Sequence, residues 1–232
     1  MSPSHLINEA LHARLSYDPL KSFVAVTQVA DVPNILSIHP SIAARSVREL
    51  IALAKAKPGS LAYGSAGTGS SQHLSGELFK KMAGVELLHV PFKGSVAAVT
   101  EIIANRLSMM LATISVFAQQ EQAGKLRILA AATEKRLLLR PDLPTIAESG
   151  VPGFSVNVWF GLVAPASTPT GILDRIHADV VKIVKSTEFY DNFLKPQAVE
   201  PGGNSRLEFA AQLRSELTMW GKLVADSGAK AE

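Results

Sequence analysis

Residues Tyr63 to Leu74 read Tyr-Gly-Ser-Ala-Gly-Thr-Gly-Ser-Ser-Gln-His-Leu. Their types and spacing suit the non-covalent capture of an anion. Glycines at 64, 67 and 69 free the backbone to take positive φ and to approach a ligand closely. Ser70 is placed to cap a following helix, leaving the other N–H groups of the first turn facing outward. Such a helix start attracts a carboxylate or phosphate through those donors and through the partial positive charge of the helix dipole.

Two nucleotide-binding patterns fail in detail. A P-loop carries lysine after its second glycine, whereas Gly69 is followed by Ser70 and Ser71. A dinucleotide fingerprint needs a third glycine where Gln72 stands. Taken alone, the stretch reads equally as a ligand site and as an ordinary tight turn from strand to helix.

Other chemistry has little material. There is no cysteine, which removes thiol catalysis, thiolate metal sites and disulfides. His5, His12, His39, His89 and His177 show neither an H-x-x-x-H pair nor a carboxylate at ligand spacing, so no metal site is expected. Ser70 and Ser71 lack the G-x-S-x-G nucleophile elbow. Glu49, Glu77, Glu101, Glu121 and Glu216 fall on predicted helix surfaces, where solvation accounts for them. The expectation is a protein without catalytic residues or cofactor. His73, on the first turn after the glycines, could donate to a ligand carboxylate or serve as a solvent-facing or core residue. Lys93 stands in a strand-to-helix loop, as a site charge or an ordinary surface lysine. Trp159 and Phe160 read as packing residues.

The 232 residues can bury one large core or two lobes. Hydrophobic residues make up 47% and charged residues 19%, which fits an ordered globular chain. A net charge of +3 with scattered basic residues leaves no footprint for nucleic acid. No apolar run reaches the ~20 residues of a membrane helix, and the N-terminal residues show no secretory signal.

The elements that must position the loop follow from periodicity. A short helix is expected over 4–12, a β-run from Phe23 to Ala30, and a second extended segment from Val32 to His39, broken at Pro33. Ser46 to Glu49 is a capping box opening an amphipathic helix that ends at Pro58-Gly59. After the strand at 61–63 and the glycine loop comes a helix with Leu74, Leu78 and Met82 as its apolar stripe. Strands at 86–90, 107–111 and 126–132 then alternate with helices at 95–104 and 114–123, the signature of a mostly parallel, doubly wound sheet. A short helix is expected at 145–149, a β-run at 154–163, and a helix from Thr168-Pro169 to about Lys185 carrying Ile172, Ile176, Val180 and Ile183. A second capping box, Ser205 to Glu208, opens a helix that buries Phe209, Leu213, Leu217, Trp220 and Val224. The two long β-runs bracket the block holding the loop, which suggests a hinge between two lobes.

Seven segments in this order resemble one family, the substrate-binding receptors of tripartite tricarboxylate transporters, also called Bug-type periplasmic solute-binding proteins. They are Tyr17 to Phe23, Ser46 to Lys55, Tyr63 to Leu74, His89-Val-Pro-Phe-Lys-Gly94, Ala123 to Arg127, Leu143 to Gly150 and Trp159 to Pro165. The resemblance implies an α/β fold of the two-lobed, type II periplasmic-binding-protein kind. Residues 1–36 and 158–232 would be what is present of lobe I, and 37–157 would be lobe II with the glycine-rich loop. It also implies a small carboxylate held between the lobes, whose closure excludes water and signals to permease subunits in the membrane. The candidate ligand contacts are Ser65, Ala66, Gly67, Gly69, Ser70, Ser71, His73, Lys93 and Gly94 in lobe II, and Ser4 and His5 in lobe I. The implied protein is a monomeric periplasmic receptor with no nucleic-acid partner.

Departures from the family pattern qualify these expectations. The Pro-Gly-Gly loop of the first lobe and a signal peptide have no counterpart here, so the first lobe is expected to be incomplete, and the chain cytoplasmic if Met1 is its true start. Ser108 stands where the family tends to carry an acidic residue, and Val96-Ala97 lacks a usual proline. Two other readings follow: a truncated, non-functional receptor with Phe209, Leu213 and Trp220 left exposed, and the effector-sensing domain of a transcription regulator, for which no winged helix is present.

Overall fold

The computed structural model describes residues 1–12 and 14–229. The chain forms two compact units, one of Met1–Val32 with Val158–Glu232 and the other of Pro33–Asn157. Residues 33–36, assigned above to the first lobe, fall in the second unit, where Asn34, Ile35 and Leu36 pair with its strands. No helix of the described residues is long and apolar enough to cross a membrane.

In the first unit, α1 (Pro3–Leu11) precedes β1 (Phe23–Val32). The chain returns to this unit as β7 (Val158–Pro165) and α6 (Thr170–Val184). A helical run, α7 (Thr187–Phe189), continues through a π turn (Tyr190–Leu194) and a 3₁₀ turn (Lys195–Gln197). The unit ends with β8 (Glu200–Pro201) and α8 (Arg206–Ser227). Strands β7, β1 and β8 form an antiparallel sheet in that order. Gly161 on β7 has no Cβ because the Phe209 ring occupies that space, 2.2 Å from where the atom would sit. Trp159 meets the same ring edge-on at 5.3 Å. The indole N–H groups of Trp159 and Trp220 donate to Glu216, and burial pushes that carboxyl above the usual carboxylate range. Glu216 is therefore a partly buried residue held by two indoles rather than a solvated one. Phe209, Leu213 and Trp220 are buried, contrary to the exposure expected of a truncated receptor. Ile172 and Ile183 of α6 are about half exposed, and Leu173 and Val184 form its buried side.

The capping box at Ser205 is complete. Ser205 Oγ accepts from the Glu208 N–H at 3.2 Å, and the Ser205 N–H donates to Glu208 Oε2 at 2.8 Å. Replacing Ser205 with alanine removes one half of that exchange, and about 1 kcal/mol of stability should be lost. The midpoint of urea unfolding should fall with its slope unchanged.

The second unit is a five-stranded sheet flanked by helices. Its elements are β2 (Asn34–Ile38), α2 (Val47–Ala56), β3 (Ala62–Ser65), α3 (Ser71–Ala83), β4 (Leu88–Pro91), α4 (Ser95–Ile103), β5 (Met109–Thr113), α5 (Ile114–Gln122) and β6 (Arg127–Ala131). The strand order is β4-β3-β5-β2-β6. Strand β3 lies parallel to both β4 and β5, whereas β2 runs antiparallel to β5 and β6. Strands β3, β4, β5 and β6 thus share one direction, as the mostly parallel wind requires, and β2 is inserted against them between β5 and β6. Residues 145–149 make a turn, not a helix, with Glu148 accepting from the Thr145 N–H.

Helix α3 corrects the expected stripe. Met82 is exposed, and the buried face carries His73, Leu74, Ser75, Gly76, Phe79 and Ala83. The small residues in that face make room for Tyr63. A Cβ on Gly76 would lie 2.1 Å from its ring. Ser108, in the position where the resemblance expects an acid, ties strand ends together. Its hydroxyl accepts from the Ala62 N–H at 3.1 Å, and its own N–H donates to Ala62 O at 3.1 Å.

Candidate functional site

The glycine loop leaves the C-terminal end of β3 and folds back on itself. Gly67 and Gly69 have φ of +128° and +78°, a region that side-chain-bearing residues avoid. Gly67 O accepts from both the N–H of Ser70, at 3.1 Å, and its hydroxyl, at 2.7 Å. Ser70 Oγ in turn accepts from the His73 N–H at 3.3 Å, which caps α3. The first two helical N–H groups, those of Ser71 and Gln72, have no acceptor within their own helix.

Two further helices begin at the same edge of the sheet. Parallel pairing aligns the C-terminal ends of β4, β3 and β5, with β3 between the others. Each strand leads into a helix, α4, α3 and α5 respectively. Neither Gly94, the N-cap of α4, nor Thr113, the N-cap of α5, supplies a side-chain cap. The α3 and α4 starts touch, because Gln72 Nε2 donates to Ser95 Oγ at 3.4 Å. The chain passes from β3 to β4 on one side and then to β5 on the other. In open α/β sheets a ligand sits at such a switch point, outside the strand ends. Uncapped helix starts that share an edge add their partial positive charges. The arrangement can therefore hold an anionic group with backbone donors and hydroxyls.

The candidate residues divide by what their side chains do. Ser70, Ser71 and Gly94 stand at helix starts, with Ala66, Gly67 and Gly69 in the loop between β3 and α3. Lys93 is exposed beside Gly94, free to add a positive charge. Ser65 and His73 turn inward. Ser65 is fully buried, its Oγ accepting from the Gly67 N–H at 3.2 Å and lying 2.7 Å from His89 Nε2. His73 is 5% exposed, and its Nδ1 accepts from the Gly69 N–H at 3.1 Å. Both side chains are hydrogen-bonded to the loop itself. Ser4 and His5 belong to the first unit. Ser4 is exposed on the first turn of α1, and the His5 ring stacks on Tyr17 at 4.9 Å and meets Phe23 edge-on at 5.2 Å. Burial lowers the His5 pKa, and its Nε2 has no partner among the described residues.

Beneath the loop lie residues that sequence reasoning left scattered. The parallel register sets Tyr63 opposite His89. Their rings stack at 4.9 Å, and His89 stacks on His73 at 4.0 Å. The Tyr63 hydroxyl donates to Glu77 Oε1 at 2.6 Å, and Glu77 pairs with Lys80 at 2.9 Å. Glu77 is thus a partly buried member of the loop's foundation, not a solvated helix residue. Burial raises its carboxyl, but the hydrogen bonds from Lys80 and Tyr63 together bring it below the usual range. Burial also pushes both imidazoles down, His89 to about 4, helped by the nearness of His73. The signal for this cluster was the His89-Val-Pro-Phe-Lys-Gly segment, one strand away from the glycine loop. Among the described residues no group of three or more His, Cys, Asp or Glu side chains could hold a metal ion.

Comparison with known proteins places this geometry in context. Residues 3–229 match the model of the tripartite tricarboxylate transporter family receptor. A protein encoded in the tcbD-tcbE intergenic region of Pseudomonas sp. strain P51 is 32% identical over 222 residues, covering 95% of this chain and 66% of its own. The chain spans about two thirds of the length of the curated relatives it matches. A structure of an R. palustris protein with adipate superposes with a TM-score of 0.84 at 35% identity, over 99% of this chain and 77% of the other. MatC from Rhodopseudomonas palustris, with bound malate, gives a TM-score of 0.77 at 25% identity, over 96% of this chain and 77% of the other. The α/β architecture is the two-lobed periplasmic-binding-protein type.

Proposed function

This chain belongs to the tripartite tricarboxylate transporter receptor family, a family of receptors and not of enzymes, and from that membership we propose that it binds a small aliphatic carboxylate as a solute receptor. The observation that carries the reading is that the α3, α4 and α5 starts share one sheet edge at the ends of β3, β4 and β5, with α3 and α4 in contact. There a carboxylate would accept from the Ser71 and Gln72 N–H groups and from nearby hydroxyls, with Lys93 adding charge. A lysine-free glycine loop suits a carboxylate better than a triphosphate. The adipate and malate held by two similar structures are small acids of this kind. The candidate contacts on this reading are Ala66, Gly67, Gly69, Ser70, Ser71, Lys93 and Gly94, with Ser65 and His73 acting through the shape of the loop. Ser4 and His5 are the candidates from the first unit. A periplasmic receptor that hands its ligand to permease subunits is the physiological role this reading implies.

Isothermal titration with adipate, malate, citrate and a neutral sugar tests the proposal. Saturable heat with at least one acid and none with the sugar is expected. Heat with the sugar alone, or with no compound, contradicts it.

A further inference from the structure

The loop is held from beneath by two imidazoles, and hydrogen-bond counting fixes what each must do. Gly67 O has two lone pairs and three donors within reach, the two of Ser70 at 2.7 and 3.1 Å and the Ser65 hydroxyl at 3.1 Å, of which those of Ser70 fill both pairs. The Ser65 hydroxyl proton is then best directed to His89 Nε2 at 2.7 Å, while Ser65 Oγ accepts from the Gly67 N–H. His73 Nδ1 faces the Gly69 N–H and can only accept. In this assignment both rings take hydrogen bonds from the loop, so both must be neutral. They are stacked at 4.0 Å, where two charged rings would repel.

We propose that His73 is a positioning residue for the anion loop and, with His89 stacked on it, makes anion capture proton-sensitive: a proton on His73 Nδ1 would set two donors face to face and release the Gly69 amide. His89 has a softer response, because the Ser65 hydroxyl can rotate to accept from a protonated ring. Gly69 has no such freedom, since an amide N–H cannot become an acceptor. The groups that act on the pair are few. Glu77 on α3 favours the charged rings, Lys80 on α3 opposes them, and Tyr63 from β3 covers His89 with a phenol that donates to Glu77. Strand β5, packed on α3, carries no titratable side chain, and Glu101 of α4 is paired with Arg106. Burial holds both imidazoles below their ordinary range, so the loop keeps its shape at neutral pH and loosens only in acid. An unfolded imidazole charges near 6.5. Stability from these neutral rings is therefore present above that pH and falls away as the pH drops toward the lowered folded values.

The binding half of this inference rests on the carboxylate reading; the loop half does not. Nuclear magnetic resonance of the ligand-free chain between pH 8 and pH 4 should show the Gly69 amide shift moving with the His73 ring, at one midpoint. Gly69 hydrogen exchange, corrected for its intrinsic pH dependence, should speed up about tenfold through that midpoint, as expected for the loss of one hydrogen bond. His73→Gln offers a carboxamide oxygen that accepts without titrating, and its Gly69 amide should stay fixed. An aliphatic disulfonate, which remains ionised throughout, should bind about tenfold more weakly to the wild-type chain in acid and equally to the variant at both pH values. A Gly69 amide that ignores the His73 titration overturns the proposal, as does a variant with the wild-type acid transition. Disulfonate affinity unchanged in acid while Gly69 moves would also overturn it, by uncoupling the loop from the anion. If no acid and no disulfonate binds at any pH, the receptor reading fails and the Gly69 amide alone decides the loop's dependence on His73.

Discussion

Gly76→Val should both destabilise the second unit and abolish anion binding, although residue 76 points away from the loop's open side. Even a single methyl at this position would lie 2.1 Å from Cε2 of Tyr63 and within 2.7 Å of two more ring atoms. Tyr63 is 1% exposed and cannot swing into solvent without leaving a cavity. Overpacking of this kind costs roughly 1–3 kcal/mol, and a β-branched side chain inserting two further carbons should reach the upper end. The consequence for binding follows from the stack. Tyr63 supports His89, His89 supports Ser65 and His73, and His73 holds Gly69. Urea unfolding should show the stability loss, and titration with a dicarboxylate at neutral pH should show no binding by the folded fraction. Gly76→Ala adds one carbon and gains helix propensity, about 1 kcal/mol, so its net loss should be smaller.

Gly67→Val should cost less stability and weaken binding without abolishing it. At φ +128° a valine is forced into a backbone region that is essentially reserved for glycine, at a strain of roughly 1–3 kcal/mol. The site is exposed enough for the loop to relax by moving, and its nearest obstacle is Phe92 O at 3.5 Å. Relaxation would pull Gly67 O away from both donors of Ser70 and so unseat the α3 cap. Affinity for a dicarboxylate should fall at least about tenfold, since losing a single charge-assisted hydrogen bond costs 1.5 kcal/mol or more. Calorimetry beside a thermal melt separates the two effects. The variant should melt as a folded protein and bind weakly.

What could be read from sequence follows from which signals are local. The capping box at Ser205 and the glycine stop at Gly84 lie where the residue types place them, and Ser46 caps its helix as expected, although Glu49 accepts from the Arg45 N–H instead of closing the box on Ser46. Strand direction and partners are not local properties, which is why the 32–39 segment reads in sequence as part of a run bracketing the block, whereas its β2 lies inside the sheet and runs against its neighbours. The α3 stripe was misread because Ser75 and Gly76 are not apolar by type, yet their smallness makes that face the one Tyr63 can approach. Glu216 was placed on a surface because glutamate belongs there by composition. Two indole N–H groups, from Trp159 and from Trp220 one helical turn away, hold it inside.

The candidate site shows the same division. The anion loop was legible because glycine and serine spacing states its own chemistry. The imidazole pair beneath it was not. The β3–β4 register sets His89 beside Tyr63, and the packing of α3 on these strands brings His73 onto its ring, neither of which any spacing along the chain encodes. Ser65 likewise has the chemistry of a ligand contact, and only its burial assigns it to the loop's support.

Backbone amide mapping with an aliphatic dicarboxylate tests the central claim most directly. With the chain labelled and the acid added at neutral pH, the amides of Ser71, Gln72 and Ser95 should shift saturably and together. Saturable binding that leaves those three amides unmoved would contradict the assignment of the anion site to the meeting helix starts.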